Sequence, residues 1–297
     1  MHRLPLLLLA SLLLGGCSSI PWFGGEEDPR PPTELTDITA TVGVNQIWSK
    51  EIGEGSDKRR LKLVPAYQGG RLFVADAQGL VTAVNAGDGR VLWQRETGLP
   101  FSGGPEIAGD RLLIGSTDGD LVALSTADGG ELWRARVNSE ILSLPKAAGD
   151  LVVLHTLDDG IYGFDLATGE QRWEFGYRAP VLSLRGSSTP LITEDHAVIG
   201  ISGGRLVKLE LATGVPAWET TVTPPRGRTE LARIADLDAT PVLDGGILYV
   251  CTYNGDLAAV ELSSGAVLWR RELSGHAGLA IAGETIYVTD SDDQVWA

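Results

Sequence analysis

Gly200, Ile201, Ser202, Gly203 and Gly204 spell G-x-S-x-G, the pattern that raises a serine nucleophile on a sharp strand-to-helix turn. That chemistry needs a helix after the serine and a histidine and an acid within reach. Here the motif falls where every other unit of the chain has its middle hairpin, so Ser202 is assigned no catalytic role. The histidines do not supply a metal site: His2 lies at the extreme N-terminus, and His155, His196 and His276 are far apart, with no H-x-x-x-H or Cys/His ligand spacing. Asp118 with Asp120, Asp158 with Asp159, and Asp290 with Asp292 and Asp293 occupy equivalent middle hairpins and read as solvated turns. None continues as a D-x-[DN]-x-[DN]-G-x₅-E calcium loop. The sequence therefore predicts no catalytic residue, no metal and no cofactor.

What the chain does repeat is tryptophan. Trp48, Trp93, Trp133, Trp173, Trp218 and Trp269 recur every 40 to 51 residues, five of them after one phrase: AVNAGDGRVLW, ALSTADGGELW, GFDLATGEQRW, KLELATGVPAW and AVELSSGAVLW. Each phrase is an apolar strand, a turn with Gly, and a strand carrying the indole. Units of about forty residues made of short β-rich runs separated by Asp, Gly and Asn clusters predict an all-β chain, a β-propeller of four-stranded antiparallel blades. Gly89, Gly129, Gly169, Gly214 and Gly265 sit where the last hairpin needs positive φ, and Gly119, Gly160 and Gly255 mark the middle one. The indoles are expected to wedge between neighbouring sheets, because a lone blade cannot bury both its faces. Five units are complete and a sixth is partial. The VGVNQIWSKEI stretch around Trp48 reads as a fourth strand without the three before it, and residues up to Ala297 supply three strands without a fourth, so the two ends are complementary.

The 297 residues, 43% of them hydrophobic, suffice for one large core. A formal net charge of −15 makes nucleic acid and anionic lipid poor partners for the body of the chain. Residues 1–16 carry His2 and Arg3 and then LPLLLLASLLLGG, an apolar run too short to span a bilayer and shaped like a secretory leader. Leu14, Gly15, Gly16 and Cys17 resemble a bacterial lipoprotein cleavage site, with Cys17 as the acylated first residue of the mature protein; Ser18, rather than Asp, points by the same resemblance to the outer membrane. Residues 17–40 hold four prolines and read as a tether, with Trp22 and Phe23 able to rest at lipid headgroups; residues 41–297 form the propeller. With Cys17 acylated, Cys251 has no disulfide partner and is expected to be a buried core thiol.

Function is sought where the repeat is interrupted. Three intervals between successive tryptophans exceed forty residues, and the extra residues fall between the outer strand of one blade and the inner strand of the next, on one face of the disc. One insertion holds Leu182, Leu184 and Arg185; the next holds Arg226, Arg228, Glu230, Arg233, Asp236 and Asp238; an earlier one holds Lys58, Arg59 and Arg60. Arginine beside apolar side chains is the composition of a protein-binding surface.

With its lipobox, Trp-docked repeats, VLSLRGSSTP and ARIADLDATPVL, the whole chain resembles the BamB family, lipoprotein propellers of the outer-membrane β-barrel assembly machinery. The resemblance implies PQQ-like repeats in an eight-bladed ring, of which about two blades are unaccounted for at the C-terminal end. It implies a non-catalytic scaffold that binds the periplasmic domains of the central barrel subunit through Leu182, Leu184, Arg185, Asp236 and Asp238, with Arg226, Arg228 and Arg233 nearby. It also implies a place in the outer membrane facing the periplasm, and help in presenting unfolded outer-membrane proteins. Two other functions fit such repeats: a pyrroloquinoline-quinone dehydrogenase, whose adjacent Cys pair this chain lacks, and a propeller that binds an envelope polymer.

Overall fold

The computed structural model describes residues 37, 39–177, 182–292 and 294–297. The expected leader, residues 1–16, lies outside them, as do Cys17, Trp22, Phe23 and Asp293. One compact unit spans Ile47–Ala297 and contains all the sheets described below.

Blade one runs through Ala66–Gln68, Arg71–Ala75, Leu80–Asn85 and Val91–Glu96. Blade two comprises Phe101–Ala108, Arg111–Ser116, Asp120–Ser125 and Glu131–Arg136. Blade three is Lys146–Ala148, Leu151–His155, Gly160–Asp165 and Gln171–Gly176. Blade four is Leu191–Ile192, His196–Ile201, Arg205–Glu210 and Pro216–Thr221. Blade five is Val242–Asp244, Ile247–Cys251, Asp256–Glu261 and Val267–Glu272. A sixth sheet has three strands, Leu279–Ala282, Thr285–Thr289 and Val295–Trp296. Within each blade the strands pair in chain order, all antiparallel, as consecutive hairpins dictate. The exception is Lys62–Leu63, which runs parallel to the innermost strand of blade two, Lys62 opposite Gly103.

The period-2 alternation of the inner strands is spent on both faces. In blade two, Leu112, Ile114, Val122 and Leu124 pack toward blade one, while Leu113, Leu121 and Ala123 pack toward blade three. Blade three repeats the division, with Val152 and Leu154 on one side and Leu151 and Val153 on the other. The core is thus a series of layers between blades, which explains why central strands read as nearly continuous apolar runs. Cys251 lies in the layer between blades five and six; among the described residues it is a free, buried thiol.

Tryptophan closes the layers between blades one to five from outside. The indole N–H groups of Trp48, Trp93, Trp133, Trp173 and Trp218 donate to the carbonyls of Ala86, Thr126, Leu166, Leu211 and Leu262, each in the following blade. Each ring lies against the turn glycine there, Gly89, Gly129, Gly169, Gly214 or Gly265, all at φ between 70° and 75°; an added methyl group would collide with the ring. Opposite the indole stands a small residue in most blades, and the register slips by one immediately beyond it in blades one to five. Trp269 is 40% exposed, its ring 6.2 Å from Tyr249.

Two expectations need correction. The stretch around Trp48 forms no strand and pairs with none among the described residues; its indole docks without a ladder. In the middle hairpins of blades three and five the left-handed residues are Asp159 and Asn254, directly before Gly160 and Gly255. The acidic pairs of the middle hairpins are not uniformly solvated: in blade two Asp120 is buried and paired to Arg136 at 3.1 Å, and in blade three Asp159 is buried and set 3.3 Å from His155.

Candidate protein-docking site

Antiparallel hairpins place the middle turn of each blade and the crossover to the next blade on the same face. Contacts between the long crossovers confirm that they meet there. The backbone N–H of Leu184, in the crossover from blade three to four, donates to Asp236 Oδ2 at 2.6 Å, in the crossover from blade four to five. Asp236 Oδ1 accepts from Gly203 N at 3.1 Å, in the middle hairpin of blade four. Asp236 is only 1% exposed. Burial pushes its carboxyl above the ordinary range, with hydrogen bonds from Leu184 and Gly203 pulling the other way and the Asp159 charge adding to the rise. Its geometry suits a bracket between loops, holding them from beneath.

Asp238 is half-buried under Gly186, where a methyl group would collide with its carboxyl. Burial first, then the nearby Asp236 charge, pushes Asp238 up to about 6, against the opposing pull of Lys62 and His155. Arg185 is exposed. Its Nη2 pairs with Glu140 at 2.5 Å and its Nη1 donates to the Arg60 carbonyl at 2.9 Å, so it joins the crossover between blades two and three to the segment before blade one. Leu182 is 47% exposed and Leu184 half-buried. Leu184, Arg185 and Asp238 border a cavity of about 790 Å³ shared with Lys62, Leu142 and His276.

The predicted arginines divide. Arg233 shares a smaller hollow with Leu182 and Asp236, and its Nη1 stands 3.9 Å from Glu230. Arg226 turns toward blade five, 3.3 Å from buried Asp256. Arg228 is exposed on the same crossover. Arg59 donates to the Ala77 carbonyl at 3.3 Å, so the basic segment 58–60 belongs to this rim as well.

Four contributors escaped the sequence reading. His155 and Asp159 form a buried pair under the crossover, with His155 Nδ1 3.0 Å from the Ser188 carbonyl and Asp159 Oδ1 accepting from Ser202 N at 3.2 Å. Their spacing across a tight hairpin carries no motif. Glu140 sits in an unremarked crossover. Lys62, whose Nζ donates to the Ser187 carbonyl at 2.5 Å and the Asp238 carbonyl at 3.2 Å, could have been found by aligning the inner strands on Pro65, Pro105, Pro145, Pro190 and Pro241.

The arrangement offers little to a reaction. Ser202 is buried in a two-strand hairpin, and Leu237 packs so closely on Gly200 that no side chain fits there. Among the described residues no group of three or more His, Cys, Asp or Glu side chains is placed to hold a metal ion. What the surface does offer is exposed leucine and arginine on a rigidly bracketed scaffold.

The family model described as outer membrane protein assembly factor BamB matches residues 35–114 and 77–297. A protein of that description from Alkalilimnicola ehrlichii is 53% identical over 290 residues, 98% of this chain and 73% of its own length. One from Pseudomonas aeruginosa is 47% identical over 289 residues, covering 97% of this chain and 75% of that protein. The crystal structure of BamB from Moraxella catarrhalis superposes with a TM-score of 0.74 at 28% identity, over 78% of this chain and 71% of that one.

Proposed function

The chain belongs to the BamB family, and from that premise we propose that it is a non-catalytic scaffold of outer-membrane protein assembly, docking through its long crossovers onto the periplasmic domains of the central β-barrel subunit. The observation that carries the docking reading is the convergence of Leu182, Leu184 and Arg185 with the Asp236–Asp238 segment on one face, pre-shaped by the Asp236 bracket. Apolar anchors beside a guanidinium, held by backbone hydrogen bonds, lose little freedom on binding, which is what a firm protein contact requires. In this reading Leu182 and Arg185 touch the partner, while Asp236, being buried, positions them. Arg233 extends the contact, and Arg226 and Arg228 flank it. Cys17, acylated, would hold the propeller at the outer membrane with the docking face in the periplasm, and the help given to unfolded barrel proteins would follow from keeping the barrel subunit's domains in place.

The test is co-purification of the barrel subunit with Leu184→Asp or Arg185→Glu. Both variants are expected to fold and to lose the subunit; recovery of it at wild-type levels by both would remove the proposed interface.

A further inference from the structure

We infer that Lys62 is a positioning residue of this docking surface: reaching out from the inner edge of the blades, its ammonium group fixes the crossovers that carry Leu184, Arg185 and Asp238 by donating to their backbone. The inference rests on the docking reading above and adds to it a residue from a distant part of the chain.

Aligning the inner strands on their prolines puts Lys62 in register with Ser102, Leu142, Ser187 and Asp238, each three residues before a proline. Among these five positions only Lys62 combines a positive charge with a four-carbon reach. Its Nζ donates to the Ser187 carbonyl at 2.5 Å and the Asp238 carbonyl at 3.2 Å, 125 and 176 positions along the chain. The strut is anchored at its base, since Lys62 and Leu63 pair in parallel with Gly103 and Gly104, and Val64 N donates to Gly104 O at 3.0 Å. Lysine is suited to this task because an ammonium group carries three donors and can serve carbonyls from two loops at once.

The residues it holds are flanked by other fixed points. Asp236 grips Leu184 on one side, and Ser188 on the other donates its hydroxyl to Ala239 O at 3.1 Å. Lys62 holds Ser187 between them, so the turn at Arg185 and Gly186 is clamped at both ends. Without that donor, two carbonyls lose a charge-assisted partner and the turn gains freedom where Arg185 must stand.

Lys62→Met keeps length and removes the donors. Hydrogen exchange of the full chain, free of partner, is expected to quicken about tenfold at the amides of Leu184 and Ser188, the factor a charge-assisted hydrogen bond carries. The amides of Arg111–Ser116 should not change. Affinity for the barrel subunit's periplasmic domains should weaken by a similar factor, and Lys62→Arg, which keeps the donors, should restore most of both. Unchanged exchange at Leu184 and Ser188, or Lys62→Arg as fast as Lys62→Met, would overturn the inference. Should Lys62→Met fold poorly, Lys62→Met with Asp238→Asn removes the carboxylate that faces the lost ammonium; exchange at Leu184 faster than in Asp238→Asn alone supports the inference, and exchange equal to that of Asp238→Asn contradicts it. Absence of binding by the wild-type chain would instead sink the docking reading, and with it the purpose assigned to Lys62.

Discussion

The Leu184 N–H and Asp236 Oδ2 lie 2.6 Å apart, a backbone-to-carboxylate bond joining two crossovers 52 residues apart in sequence. The same carboxylate takes a second backbone proton from Gly203, so one buried side chain orders three loops. Asp236→Asn keeps the size but offers one oxygen where two are used, turning an NH₂ toward an N–H. The expected cost is about 1–3 kcal/mol in urea denaturation, accompanied by weaker capture of the barrel subunit.

Trp133 fills the layer between blades two and three, 8% exposed, its N–H on the Leu166 carbonyl at 3.0 Å and its ring on Gly169. Trp133→Ala should cost about 3–5 kcal/mol. Gly169→Ala meets both positive φ and the indole, whereas Gly149, at φ +64, has open space where a methyl would go. Gly149→Ala should cost about 1 kcal/mol for backbone strain alone, and Gly169→Ala clearly more. Equal melting temperatures for the two alanine variants would contradict indole docking as the source of stability.

Asp238 gives a pH signature. A carboxyl held at about 6 in the fold and 3.8 when unfolded binds its proton more tightly in the native state, so its contribution to stability falls as pH rises from about 4 to 6.5. Asp238→Asn lacks that titration. Across this window the stability difference between variant and wild type should shift toward the variant by on the order of 2 kcal/mol and then level off. Denaturant midpoints at a series of pH values read it directly; a constant difference would mean that Asp238 titrates normally.

Cys251 should be chemically silent in the native chain. Burial pushes its thiol up to about 11 from 9.0, against a hydrogen bond from the Thr252 backbone. At pH 8 the thiolate fraction falls roughly 100-fold for such a rise, and packing against blade six slows attack further. A disulfide reagent should modify Cys251 at once in the unfolded chain and only on opening in the native one.

The blades were legible because their determinants are local. A glycine at positive φ, an indole a few residues on and alternating apolar residues are each visible within a dozen positions, and so were the interruptions carrying Leu182, Arg185 and Asp236. The division of labour within the site was not legible. Asp236 and Asp238 are two residues apart and chemically identical, yet Asp236 is 1% exposed with both oxygens taken by backbone N–H groups while Asp238 is half-buried beneath Gly186, a difference set by what packs over them from another blade. Proline alignment marks the position of Lys62 but not its acceptors, which are backbone carbonyls and leave no trace in side-chain patterns. The Trp48 stretch misled in the opposite sense, since its composition is strand-like and pairing needs a neighbour that composition cannot supply.

The claim on which the account turns is that the crossover face, and not the blade edges, receives the partner. Hydrogen exchange of the full chain with and without the barrel subunit's periplasmic domains tests it without altering a residue. The account predicts slowed exchange concentrated in 182–188 and 226–238, with the outer strands Glu131–Arg136 and Gln171–Gly176 unchanged; protection of those outer strands with 182–188 unaffected would contradict it.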